Sequence, residues 1–144
     1  MKKPVLTVAE IEELLADEFP QVFKPGSGLS IESVEYGACR VRQAHHPDQL
    51  RPGGTISGPT MMALADFAMY VAVFSVVGRE PLAVTTNLNI NFLRKPTQAD
   101  LLAEARLLKH GSRLVVGEVL IRSDGAKDPV AHVTSTYSVP PKRH

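Results

Sequence analysis

The sequence predicts an α+β fold in which one antiparallel β-sheet wraps around a single long, buried helix, with a short helix ahead of them. The first observation is that the run from Pro59 to Val77 is apolar on every side and holds one group that is charged at neutral pH, Asp66. A helix with that composition is a buried helix. The second is that apolar and polar residues alternate with a period of two after this run, which is typical of a strand. The third is that short turns separate the later strands, and strands joined by short turns pair antiparallel.

The first predicted helix covers about Val8 to Asp17. Thr7 and Glu10 form a capping-box pattern at its start. The apolar residues that follow recur at helical spacing: Ile11, Leu14, Leu15 and Phe19. Pro20 then ends the helix, because proline disfavours helical conformation in the residue before it.

A hairpin and the long helix come next. Residues 29–35 and 38–44 read as two strands joined near Tyr36-Gly37, and residues 45–55 form a loop rich in proline and glycine. Ser57 is a suitable N-cap for the long helix, and Pro59 suits its first turn, where no amide hydrogen is needed. Gly78 closes the helix at a position that favours glycine.

Four strands follow the long helix and are predicted to form a meander: residues 84–92, 101–108, 114–122 and 130–139. In the first of them the apolar face is predicted to hold alternate residues: Val84, Thr86, Leu88, Ile90 and Phe92. One sheet around one helix leaves an edge strand. We hypothesise that the strand carrying Asn87, Asn89 and Asn91 pairs across a dimer.

Length and composition favour one soluble domain, residues 1–144, with residues 1–25 as an N-terminal helical extension and residues 140–144 as a tail. The net charge of +1 gives no reason to expect nucleic acid or a membrane as partner. A single cysteine, Cys39, excludes an intramolecular disulfide and a multi-cysteine metal site. Because no signal-peptide pattern is visible, the expected location is the cytoplasm.

Asp66 is the first candidate for chemistry. A carboxylate inside an apolar helix is costly unless it is paired, hydrogen-bonded or protonated. Asp66 is therefore either a catalytic carboxylate or a core residue that accepts hydrogen bonds from neighbouring strands. The glycine-rich entry to the helix, Gly53 to Gly58, favours catalysis, because a helix N-terminus reached through glycines is an anion site.

Residues 47–59, followed by Ala63-Leu64-Ala65-Asp66, resemble the hotdog-fold thioesterases and, among them, most of all the PaaI-like (phenylacetate-pathway) acyl-CoA thioesterases. Gly54-Thr55 matches the family's Gly-Thr, and Gly58 matches the first glycine of its His-Gly-Gly. The resemblance covers roughly Leu29 to Val139. It implies a hotdog fold and a homodimer or homotetramer that hydrolyses acyl-CoA thioesters.

The resemblance also implies roles for single residues. Asp66 would act as general base toward water or as nucleophile. The backbone amide of Gly58 would stabilise the oxyanion, working across the dimer interface with Asp66 of the other subunit. Thr85 matches a family Ser or Thr that holds the water; the alternative is an ordinary strand residue.

Two positions depart from the family pattern. Ser57 stands where the family has histidine, and it either caps the helix or donates a hydrogen bond to the thioester carbonyl. Arg51 stands where the family has asparagine, and it either binds a substrate carboxylate or phosphate or pairs with Asp66. These departures keep open an alternative of a different class, an acyl-CoA-binding or sensory hotdog protein without turnover. A hotdog hydratase is disfavoured, because its loop Asp followed by His is absent.

Coenzyme A carries phosphates, and four basic residues flank strand ends and are candidates to bind them: Arg94, Lys95, Lys109 and Arg113. For any one of them, solvated surface charge is the competing interpretation. Coenzyme A is part of the substrate, so no separate cofactor is expected.

His45, His46 and His132 lack metal-ligand spacing, so no metal is expected. Five large residues of the helix are candidates for an acyl pocket or for the core: Met61, Met62, Met69, Tyr70 and Phe74.

Overall fold

The computed structural model describes residues 2–141. Its helices and strands follow in the order α1 (Val8–Glu18), β1 (Leu29–Glu35), β2 (Ala38–Gln43), α2 (Gly58–Val77), β3 (Val84–Phe92), β4 (Leu101–His110), β5 (Leu114–Ser123) and β6 (Ala131–Ser138). A short 3₁₀ turn, Pro47–Gln49, lies in the loop between β2 and α2. Of the predicted tail, residues 142–144 lie outside the described range.

Local signals set the boundaries of the first elements. The Glu10 N–H donates to Thr7 Oγ1 at 3.2 Å, and the Thr7 N–H donates to Glu10 Oε1 at 3.0 Å, so the predicted capping box forms. α1 ends one residue beyond the predicted Asp17. The β1–β2 hairpin turns at Gly37, whose φ of 80° lies in the region that favours glycine. The predicted helix and hairpin are confirmed.

The six strands form one antiparallel sheet in the order β1-β2-β4-β5-β6-β3. The predicted meander is correct for β4, β5 and β6 and wrong for β3, which pairs with β6 at the sheet edge. β2 takes the place beside β4 instead. The reason is that residues 93–100 form a longer connection and not a tight turn, so nothing forces β3 and β4 to be neighbours.

α2 is the core helix, bounded as predicted by Ser57 as N-cap and by Gly78, whose φ is 82°. It is long and apolar enough to cross a bilayer, but most of that stretch is buried inside the protein. Gly117 of β5 permits a close approach between sheet and helix, since a Cβ at that position would lie 2.7 Å from Met69 Sδ. The sheet therefore packs directly on the helix.

The prediction that α2 is buried on every side is wrong for the N-terminal half of the helix. Met62 is 41% exposed, Ala63 is exposed, and Asp66 is half-buried. The strands cover the opposite side of this part of the helix, where Leu64, Ala65 and others are buried. Asp66 thus lies at the border between core and solvent.

A β-bulge breaks the predicted alternation of β3. The register against β6 shifts between Thr85 and Asn87, so the residue between them has no partner. Such a bulge inserts one residue and moves the alternation by one position. Thr85 is therefore level with the buried Tyr137 and lies on the same side as Leu88 and Ile90, both of which pack against the core.

Candidate active site

The carboxylate of Asp66 is held from the sheet by two hydroxyl groups. Thr85 Oγ1 donates to Asp66 Oδ1 at 2.6 Å, and the Tyr137 hydroxyl lies 2.8 Å from the same oxygen. No hydrogen-bond donor among residues 2–141 reaches the second oxygen, Oδ2. Asp66 is therefore an oriented carboxylate with one oxygen free to accept a proton or attack an electrophile.

Tyr137 is the residue of this site that the sequence did not single out. It lies on β6, is 3% exposed, and its hydroxyl is also 2.9 Å from the backbone carbonyl of Asp66. Burial, and after it the negative charge of Asp66, raises the pKa of Tyr137, so the group remains a proton donor at any working pH. Two signals in the sequence could have pointed to Tyr137. The strand alternation places it on the inward face, and the hydroxyl of a buried tyrosine needs a hydrogen-bond partner.

An apolar cavity of about 380 Å³ opens beside Asp66. Its lining combines α2, the start of β3, the end of β6 and the residues around the end of α1: Glu18, Phe19, Val22, Ala63, Asp66, Phe67, Tyr70, Pro81, Ala83, Val84, Thr85 and Tyr137. Tyr70 donates to the carbonyl of Pro81, and burial, with the charge of Glu18 as second cause, raises the pKa of Tyr70 to about 12. Asp66 and Thr85 are therefore polar groups at the wall of a mainly apolar pocket.

The N-terminus of α2 forms a separate site around Gly58. The Gly58 N–H lacks an acceptor within the described part of the chain, as expected for the first turn of a helix. A cavity of about 410 Å³ adjoins Gly58 and is lined in part by Arg51, Phe92, Arg94 and Lys95. Since Asp66 lies eight residues farther along the helix, about 12 Å along its axis, one chain does not bring both groups to one small reacting centre.

The predicted basic residues fall into two groups at different ends of the molecule. Arg94 and Lys95 lie with Arg51 at the Gly58 cavity, where Arg94 also donates to the carbonyl of Pro129. Arg113 lines a cavity at the opposite end of α2 and donates to the Val139 carbonyl at 2.9 Å, and Lys109 lies near the end of β4 on that side. One chain therefore does not assemble the four into a single phosphate site.

Ser57 caps α2. Its Oγ accepts from the Thr60 N–H at 3.3 Å and lies 2.9 Å from Thr60 Oγ1. Arg51 lies in the turn before the helix and forms no ion pair with Asp66 among the ion pairs of residues 2–141. The cap explains why serine suits this position, and Asp66 is not neutralised by Arg51 within one chain.

The other candidates lie in the core or in the lining of the two cavities. Met69 and Phe74 are fully buried core residues, Met61 lines the Gly58 cavity, and Tyr70 lines the cavity at Asp66. Cys39 is buried, and burial raises the pKa of its thiol to about 12, so it is not a nucleophile at neutral pH. Within residues 2–141 no cluster of three or more potential metal ligands occurs.

Comparison with known proteins gives the family. The model of the thioesterase superfamily matches residues 53–130. A "putative esterase" of Saccharolobus solfataricus is 30% identical over 136 residues, which cover 94% of this chain and 87% of that protein.

Two of the solved structures that share the fold illustrate the similarity. The crystal structure of a "putative thioesterase" from Silicibacter sp. TM1040 is 42% identical, covers 96% of this chain and 95% of its own, and superposes with a TM-score of 0.85. A point mutant of the phenylacetic acid degradation protein PaaI from Thermus thermophilus is 28% identical. The match covers 77% of this chain and 92% of that chain, with a TM-score of 0.68. The predicted resemblance is confirmed, and this chain belongs to the thioesterase superfamily and has the hotdog fold.

Proposed function

We propose that this protein is an acyl-CoA thioesterase that hydrolyses its substrate to a free acid and CoA, with Asp66 as general base or nucleophile. The observation that carries the proposal is the Asp66 carboxylate, oriented by Thr85 and Tyr137 at the wall of an apolar cavity and open at Oδ2. Membership of the thioesterase superfamily supports thioester hydrolysis in general.

As general base, Asp66 Oδ2 takes a proton from a water molecule while the water oxygen attacks the thioester carbonyl carbon. The tetrahedral intermediate collapses, the carbon–sulfur bond breaks, and the CoA thiolate leaves and recovers the proton from Asp66. As nucleophile, Oδ2 attacks the same carbon, the thiolate leaves, and water hydrolyses the resulting anhydride. In either route, the two hydroxyl donors on Oδ1 hold the carboxylate in place and leave Oδ2 to react.

The backbone amide of Gly58 is proposed to stabilise the developing oxyanion. It is an unpaired donor at a helix N-terminus, where the helix dipole also favours negative charge. Because Gly58 and Asp66 of one chain are about 12 Å apart along the helix, the proposal requires Gly58 from a second copy.

The sheet edge supports that second copy. β3 pairs with β6 on one side and is unpaired on its outer side, and its apolar ends are open to solvent, with Val84 56% and Phe92 51% exposed. An exposed apolar edge is a ready surface for strand pairing. We propose a homodimer formed through β3, on which a homotetramer could be built.

The phosphates of CoA are proposed to bind near Gly58. Arg51, Arg94 and Lys95 line this cavity as three exposed cations that suit the phosphates, whereas the Gly58 amide itself is kept for the thioester carbonyl. Lys109 and Arg113 lie at the other end of the chain and would reach CoA only if another copy brought them there. CoA enters as substrate, so the proposal involves no separate cofactor, and it places the protein in the cytoplasm, where acyl-CoA is made.

A second candidate function is binding of acyl-CoA without turnover. Two observations favour it. No histidine lines the cavity at Asp66 or the cavity at Gly58 within the described residues, and Ser57, which stands where the family has histidine, caps the helix. Such a protein would bind acyl-CoA saturably and release no thiol.

Thiol release from short, medium, long and aromatic acyl-CoAs separates the two functions. The wild type is expected to turn over at least one of them, and Asp66→Asn is expected to lower its rate by about 100-fold or more, the typical effect of losing an acid–base group. Asp17→Asn removes an exposed carboxylate of α1 as a control and should keep the rate. Turnover that does not depend on Asp66 would contradict the mechanism, and binding without thiol release would select the second function.

A further inference from the structure

One wall of the cavity at Asp66 comes from the end of α1 and the turn after it. Glu18, Phe19 and Val22 line this wall. All three precede residues 53–130, the part of the chain that matches the thioesterase family model. The N-terminal segment thus adds to the site a surface that lies outside the matched part of the fold.

This wall is held firmly in place by packing. Ile11, Leu14 and Leu15 fix α1 on the core, since each is at most 1% exposed. The Phe19 N–H donates to the Leu15 carbonyl at 2.8 Å, and the Phe19 ring meets the Tyr70 ring edge-on with centroids 6.2 Å apart. The position of Phe19 relative to the cavity is therefore set by the whole helix and not by a free loop.

The wall also supplies one of the two charged groups of the cavity. Of the residues that line it, the ones charged at neutral pH are Glu18 and Asp66, and both are carboxylates. The lining contains no lysine, arginine or histidine to pair with an anionic group. A second carboxylate on the acyl group would be repelled by these two like charges, although water weakens the contribution of Glu18, which is exposed.

We infer that Glu18, Phe19 and Val22 select the acyl group, so that this site accepts uncharged, apolar acyl groups of limited length and rejects acyl groups that end in a carboxylate. The inference rests on the proposed function for the site itself and adds the substrate class. Phe19 limits length because it forms part of the cavity wall on the α1 side. Glu18 disfavours acidic acyl groups through its charge.

The length limit is tested by Phe19→Ala, with the more conservative Phe19→Leu in case the first variant folds poorly. Leu108→Ala is the control, since Leu108 is a large apolar residue of β4, is 54% exposed and lies outside the lining of this cavity. Affinities for hexanoyl-CoA and dodecanoyl-CoA are measured by calorimetry in the Asp66→Asn background. Removing the Phe19 ring should favour dodecanoyl-CoA over hexanoyl-CoA by about 10-fold or more, since even one methylene in an apolar pocket is worth roughly 10-fold to 200-fold.

The charge limit is tested by Glu18→Lys with adipoyl-CoA and hexanoyl-CoA, which differ by a terminal carboxylate. Asp17→Lys makes the same change of net charge on the neighbouring exposed residue, outside the cavity lining, and serves as control. Glu18→Lys should shift the affinity ratio toward adipoyl-CoA by about fivefold, the upper effect of an exposed charge pair. Asp17→Lys should leave the ratio near that of the parent.

The outcomes separate this inference from the proposed function. If neither Phe19 nor Glu18 variants change the affinity ratios beyond their controls, the inference is overturned, and turnover by the wild type leaves the proposed function standing. If the ratios shift while the wild type releases no thiol, the inference stands and the proposed function is overturned. Failure of all the proteins to bind any acyl-CoA would overturn both.

Discussion

Removing the two hydroxyl groups that bind Asp66 Oδ1, singly and together, tests whether they orient the carboxylate for reaction. Thr85→Val and Tyr137→Phe each delete one oxygen and nearly preserve the shape of the side chain. The deleted oxygens lie 2.6 Å and 2.8 Å from Oδ1. Because Asp66 and the shape of the cavity stay in place, a change in rate reports the loss of the hydrogen bond.

The magnitude follows from burial. A hydrogen bond to a charged group contributes about 1.5–3 kcal/mol, and each ~1.4 kcal/mol of lost transition-state stabilisation is tenfold in rate. Tyr137 is 3% exposed, so water does not replace its hydroxyl, and we expect Tyr137→Phe to lower kcat by roughly 10-fold to 100-fold. Thr85 is exposed, so water partly replaces its hydroxyl, and the loss should be smaller. Since both donors hold one oxygen, the double variant should lose less than the product of the single losses.

The assay is thiol release at one pH, with urea unfolding of each variant to confirm a folded protein. Tyr36→Phe and Thr134→Val are matched controls, since both residues lie outside the cavity and neither hydroxyl makes a hydrogen bond among residues 2–141. Unchanged kcat in Tyr137→Phe would refute the orienting role. Strictly multiplicative losses in the double variant would show that the two hydroxyls do not act on one carboxylate position.

Further predictions concern stability, coenzyme binding and alkaline pH. Gly117→Ala should lower the free energy of unfolding by about 1–3 kcal/mol in urea unfolding, because its Cβ would lie 2.7 Å from Met69 Sδ. Lys95→Met should raise KM for an acyl-CoA several-fold but not for the matching acyl-pantetheine, which lacks the nucleotide phosphates, and Lys109→Met should raise neither. Burial raises the pKa of the Cys39 thiol from 9.0 to about 12, so the folded state holds this proton more tightly, and the resulting stability is present below pH 9 and lost as pH rises toward 12. Cys39→Ala should therefore reduce the fall in unfolding free energy between those pH values, by up to about 1.4 kcal/mol per pH unit.

Features that depend on neighbours in the sequence were predictable. The capping box at Thr7, the cap at Ser57, the glycine at position 78 and the hairpin at Gly37 are local arrangements, and all of them form. Asp66 also stood out locally, as the one charged group in an apolar run. The family and the fold followed from such local motifs taken together.

Features that depend on long-range pairing were not predictable. The position of β3 beside β6 is set by packing across the sheet, and the bulge after Thr85 is visible only in the register between those strands. Strict alternation put Thr85 on the face of the asparagine row, whereas the bulge brings it to Asp66. Tyr137 was missed for the same reason, because it is 71 residues from Asp66 in sequence and meets it only in the folded sheet.

The two halves of the proposed site predict that activity depends on assembly. A single donor to an oxyanion is worth about 2.7–4 kcal/mol in enzymes where one has been removed, which is 100-fold or more in rate. In one chain, the free Gly58 amide faces a cavity rich in cations and the Asp66 carboxylate faces an apolar one. An acyl-CoA thioester has an anionic part and an apolar part in the same way, with the phosphates of CoA on one side of the sulfur and the acyl group on the other. If two copies join so that Gly58 of one meets Asp66 of the other, the cation-rich cavity lies on the CoA side of the thioester and the apolar cavity on the acyl side. An isolated chain would offer the carbonyl either the base or the oxyanion donor, but not both.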